Sequence, residues 1–138
     1  MPADTYARSL KGLSINLLVR DIERALLFQR EVLEVTITYH DPDFAVMHGY
    51  GAEWIMHTDH AYDQHPLLKL ANAATNRGAG LELRLHGRDP DAAEAAARRL
   101  GFAVITPAND KPHGLREVYL SDADGYVWVP DVPSERPQ

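Results

Sequence analysis

Residues 13–35 and 81–105 carry the same grammar, and this internal repeat limits the possible folds more than any other feature. LSINLLVRDIERALLFQREVLEV and LELRLHGRDPDAAEAAARRLGFAVI each open on alternating apolar residues, pass an aspartate and continue at helical spacing. Asp21 aligns with Asp89 at an offset of 68, and Leu33 with Leu100 at an offset of 67. A chain of this kind is one small unit written twice, with its function expected where the two copies face each other.

The local patterns spell out the unit. Leu13, Ile15, Leu17 and Val19 alternate with Ser14, Asn16, Leu18 and Arg20, the pattern of a half-buried strand. Asp21 is a natural helix cap, and Ala25, Leu26, Phe28, Val32 and Leu33 form one apolar stripe behind it. VTITYH (35–40), Phe44–His48 and Ala52–His57 read as three further strands, turned by Asp41-Pro42-Asp43 and by Gly49-Tyr50-Gly51. In the second copy Leu81, Leu83 and Leu85 alternate with Glu82, Arg84 and His86. Asp89 and Pro90 start a helix that Gly101 ends, and strands follow at 102–106, 115–121 and 126–130. Residues 1–11 read as a loose arm or short edge segment, 66–74 as a short helix in the connection, 107–114 as a loop and 131–138 as a tail.

The expected architecture is therefore α+β: tandem βαβββ modules at about 12–57 and 81–130, joined by 58–80, in a single domain. A helix covers one face of each sheet. The other face carries Ser14, Asn16, Glu82, Arg84 and His86, and curved sheets that face each other would enclose a cavity lined by them. Trp54 and Trp128, each three residues after a glycine, belong in the helix-side core.

Composition removes several function classes. A net charge of −6 disfavours nucleic acid and anionic membrane as partners. The absence of cysteine removes disulfides, thiolate nucleophiles and cysteine-held metals. No signal-peptide pattern is present and no apolar run approaches ~20 residues, so a cytoplasmic location is expected. Nucleophile elbows, phosphate-cradling glycine loops and dinucleotide fingerprints are also missing.

The motifs VRDIERALLFQREVLEV and SDADGYVWV, correctly separated within the repeat, resemble the vicinal oxygen chelate superfamily, which includes glyoxalase I, extradiol dioxygenases, fosfomycin-resistance enzymes and bleomycin-resistance binding proteins. The likeness runs from about Leu13 to about Pro130, with Gln29, Glu34, Ala123 and Val129 departing from the pattern. It implies metal-ligand positions at Ser14, Ile55, Glu82 and Val129, of which only Glu82 is a strong donor. A divalent ion in a catalytic site needs about three protein ligands. The implied cofactor set is therefore none, and the implied function is metal-independent binding of a small organic molecule by a homodimer, as in the bleomycin-resistance branch.

Ser14, Asn16, Glu82, Arg84, His57, Tyr119 and Val129 are the expected ligand-binding residues. Glu82 doubles as a candidate general base, Arg84 as a clamp for an anionic group or a partner of Glu82, and Asn16 and Ser14 as neutral hydrogen-bonding groups. His86 and Leu18 are expected at the rim, and the 107–114 loop as a lid by family resemblance. HTDHAYDQH brings His57, His60 and His65 near Asp59 and Asp63, without the spacing of a helical metal motif. The competing classes are a glyoxalase- or dioxygenase-like enzyme, with Glu82 as base or as ligand of a non-standard metal site shared with His57, and a purely structural or regulatory domain.

Overall fold

The computed structural model describes residues 3–135. After helix α1 (Ala3–Ser9), the first module comprises β1 (Asn16–Val19), α2 (Ile22–Leu27) continued by a π-helical turn (Phe28–Val32), β2 (Thr36–His40), β3 (Phe44–Gly49) and β4 (Ala52–Thr58). A 3-10 turn (Asp59–Tyr62) and α3 (Pro66–Ala73) connect it to the second: β5 (Glu82–His86), α4 (Pro90–Leu100), β6 (Ala103–Asp110), β7 (Leu115–Ser121) and β8 (Val127–Pro133). The sheets have the matching orders β1-β4-β3-β2 and β5-β8-β7-β6, and each is curved but not closed.

Sequence chemistry accounts for the helices. Asp21 accepts the Arg24 N–H at 3.2 Å, and Asp89 accepts the Asp91 N–H at 3.0 Å, each satisfying an otherwise orphaned helix donor. Gly101 ends α4 at φ 81°, a left-handed conformation that glycine adopts without a Cβ penalty. The π-helical turn after α2 is not visible in the apolar spacing. It accompanies a buried Gln29, whose Oε1 accepts the Trp54 indole N–H at 3.0 Å.

Both helices and the inner faces of both sheets share one core. Leu17, Val19, Met47, Trp54 and Met56 from the first sheet meet Leu83, Leu85, Val118, Leu120 and Trp128 from the second, with α2 and α4 between them. Trp54 and Trp128 lie 5.5 Å apart between ring centroids, and the Phe28 ring stands edge-on to Phe102 at 5.0 Å. Polar ties reinforce the seam: Tyr126 donates to the Leu18 carbonyl, Arg88 Nε to the Val32 carbonyl, and the Arg20 amide to Asp124. In the connection, Gly78 lies so close to the 125–126 backbone that a Cβ would sit 2.6 Å from Gly125 O.

Four local expectations are corrected. Strand β1 begins at Asn16, because its ladder to β4 starts only where the Ile15 carbonyl meets the Ile55 N–H; Leu13 is 91% exposed and Ser14 lies in an exposed approach. Residues 3–9 form a helix. The 107–114 loop shrinks to a turn, since Pro107–Asp110 belong to β6. In the tail, 131–133 extend β8, while 136–138 lie outside the described residues.

This joined core leaves the two sheets curved but not closed, and where they meet a cavity of about 190 Å³ is lined by Ala52, Glu53 and Trp54 of the first module and by Glu82, Arg84 and Trp128 of the second. Trp128→Ala tests this core directly. Loss of the ring is expected to cost about 3–5 kcal/mol in denaturant unfolding. Unchanged stability would put Trp128 on the solvent side.

Candidate functional site

The outer face of the second sheet is an ion cluster centred on Arg84. Its guanidinium donates to Glu82 at 2.8 Å, to Asp131 at 3.1 Å and to Glu117. The carboxylates of Glu117 and Asp131 are nearly inaccessible, whereas that of Glu82 is 45% exposed. Tyr119 donates to Glu82 at 2.8 Å, and His86 shares Asp131 at 2.6 Å. Three carboxylates therefore surround one guanidinium; against the desolvation of burial, Glu117 and Glu82 hold Arg84 firmly protonated. The Tyr119 hydroxyl and then Arg84 keep the Glu82 carboxyl below its usual range, which is the reverse of what a base at neutral pH requires. Val129, the register partner of Arg84, is fully buried.

The outer face of the first sheet is different in kind. His57 Nδ1 meets Asn16 Oδ1 at 2.8 Å, and Asn16 Nδ2 donates to the Tyr62 hydroxyl at 2.8 Å. With Asn16 Oδ1 as acceptor, a neutral His57 carries its proton on Nδ1 and keeps a lone pair on Nε2. The ring packs on Phe44 at 4.8 Å and Tyr62 at 5.3 Å. Burial lowers its pKa, with Asp41 and Asp43 pulling the other way, so the imidazole is neutral at pH 7.

Helix α1 lies over this face. Ala3, Tyr6, Ala7 and Leu10, spaced for one helical side, join Tyr39, Asp41, Phe44, Ile55 and His57 around a cavity of about 380 Å³. Tyr6 donates to Glu53 at 2.9 Å and stands edge-on to Phe44 at 6.2 Å. Burial, with Glu53 beside it, pushes the Tyr6 phenol up to about 12, keeping it a donor at neutral pH.

The seven expected residues therefore divide. Asn16 and His57 are joined on the first face; Glu82, Arg84, Tyr119 and the buried Val129 are together on the second; Ser14 belongs to neither. Leu18, expected at a rim, is buried and, with Asn16, lines a separate cavity of about 250 Å³ beside α3. The polar run of the connection serves separate local roles: Asp59 is clamped by Arg77, His60 meets Asp43, and His65 caps α3. Among the implied metal positions, Ile55 and Val129 have no donor atom, Ser14 is in the exposed approach, and Glu82 is engaged by Arg84 and Tyr119. These residues do not fit a divalent ion, and no other grouping among the described residues does.

Sequence reasoning did not assemble the pocket of Tyr6, Tyr39, Asp41 and Phe44. The 3-6-7-10 spacing of Ala3, Tyr6, Ala7 and Leu10 was the available signal, and it is short. For the ion cluster, Arg84→Met leaves Glu117 and Asp131 buried without their cation. The expected loss is about 3–5 kcal/mol at pH 7. Urea unfolding of the variant and the parent protein at pH 7 measures it.

Comparison with known proteins agrees with this architecture. The family model for the Glyoxalase/Bleomycin resistance protein/Dioxygenase superfamily matches residues 13–129. A glyoxalase-related enzyme from Fulvimarina pelagi superposes with a TM-score of 0.69 at 20% identity, covering 89% of this chain and 88% of its own. TioX from Micromonospora gives 0.64 at 17%, covering 93% and 100%. The fosfomycin resistance protein FosX from Mesorhizobium loti gives 0.63 at 14%, covering 91% and 95%. A search of curated proteins finds no match. At these identities the structural likeness establishes the fold alone, while the family match over most of the length establishes membership: the chain belongs to the Glyoxalase/Bleomycin resistance protein/Dioxygenase superfamily.

Proposed function

We propose that this chain is a metal-independent small-molecule-binding member of its superfamily, with the cavity between α1 and the first sheet as its site. The observation that carries the reading is the cavity's construction. Tyr6, Tyr39 and Phe44 supply aromatic walls, and His57, oriented by Asn16, supplies a polar group with an unengaged nitrogen. At about 380 Å³ the volume suits a small organic ligand. The donor set at the implied metal positions supports the metal-free part. The reading retains a cytoplasmic homodimer with a small organic molecule as its partner, as the family resemblance implies.

An enzyme that uses Glu82 as base is the weaker reading. Glu82 is paired to Arg84 and Tyr119, and it is not among the residues that line the cavity with His57. No helix among the described residues is long and apolar enough to cross a membrane.

Ligand screening by thermal shift on the full chain, followed by titration of a hit, tests the site. Phe44→Ala is expected to weaken that hit at least tenfold, by removing the ring on which His57 and Tyr6 both pack. Glu82→Gln should leave it unchanged. The reverse pattern would move the site to the second module.

A further inference from the structure

We infer that the α1 cavity is a site for a small organic cation, one whose substituted ammonium is held by aromatic faces and by Asp41. This deepens the proposed function and rests on it. The charge of the lining is one-sided: Asp41 contributes a carboxylate, and no lysine or arginine among the described residues lines the cavity. Glu53 and Asp43 add negative charge nearby, through Tyr6 and Thr58 respectively. Tyr39 and Phe44, 6.0 Å apart between centroids, and Tyr6 beyond them present ring faces and edges around the space. Rings so placed attract a cation through their quadrupoles, and more strongly where water is excluded. The remaining polar group, His57 Nε2, accepts a hydrogen bond, so it suits an ammonium N–H and repels a carboxylate.

The repeat supplies an internal comparison. Register places Asn16 opposite Ile55 in the first module and Arg84 opposite Val129 in the second. It likewise pairs Phe44 with His57, and Glu117 with Asp131. The Asn16–His57–Phe44 positions of the first face thus correspond to Arg84–Asp131–Glu117 of the second. The second module fills its acidic face with its own guanidinium. The first replaces that arginine by a neutral amide, exchanges the carboxylates for rings, and leaves an open cavity with acidic groups at its margin. An external cation completes there what Arg84 completes internally.

The test uses the full-length protein and three probes of similar size: benzyldimethylamine, protonated at pH 7, benzyl alcohol and benzoate. Binding is read by isothermal titration and by shifts of the His57 and Phe44 ring resonances. The cation is expected to bind at least about tenfold more tightly than the alcohol, with benzoate weakest. Asp41→Asn should lower affinity for the cation about threefold to tenfold and leave the alcohol unaffected, with an unchanged melting temperature as the folding control. Because Asp41 also accepts the Tyr39 hydroxyl, Tyr39→Leu provides a second variant and should weaken the cation similarly. Equal binding of alcohol or benzoate in the cavity would overturn the cation assignment while leaving it a small-molecule site. Failure of the cation to shift His57 and Phe44 would also overturn it. If no screened compound of any charge shifts those rings, the proposed function fails as well.

Discussion

Contact between Trp54 and Trp128, with Phe28 beside them, is the constraint on which the rest of the structure depends. Each indole sits at the same place in its module, on the sheet face that its helix covers. By meeting each other they merge two small apolar faces into one core. Neither module has enough buried surface to be comfortable alone, since small units bury a low fraction of their area. Once the helix sides are joined, the opposite face of each sheet carries its own set of polar groups, Asn16 and His57 on the first and Glu82 and Arg84 on the second.

Those faces have diverged along different physical routes. The second solves its polarity internally, with one guanidinium shared by three carboxylates; removing either kind of partner leaves buried charge uncompensated. The first carries a neutral chain of hydrogen bonds through Asn16 and His57, flanked by aromatic rings and covered by α1. A closed ion network is a poor host for a ligand because its groups are already satisfied. An aromatic cavity with an uncommitted acceptor is a good one, which is why the functional reading moves to the first module.

Much of the fold was legible in the sequence for identifiable reasons. Asp21, Asp89 and Gly101 are capping residues with strong local preferences, and the alternation in 82–86 and 115–121 survives as strands. Leu13 misled because alternation describes which face a residue would take, not whether a neighbouring strand is there to pair with it. The π-helical turn and buried Gln29 depend on the Trp54 indole, a partner distant in sequence. Asn16, His57, Glu82, Arg84 and Tyr119 were recognised as residues of polar faces. Their division into two sites was not legible, because it follows from how the modules pack. Asp41 read only as a turn residue and Tyr6 as part of an arm; both gain a second role through tertiary placement.

The state of one imidazole tests the central claim most directly. A long-range ¹H–¹⁵N correlation spectrum of the full chain, followed across pH, reports the charge and tautomer of His57. The account predicts a neutral ring at pH 7, its proton on Nδ1 facing Asn16, titrating below the ordinary histidine value. A ring protonated at pH 7, or neutral with its proton on Nε2, would contradict it, because the cavity would then present a donor where the account requires an acceptor.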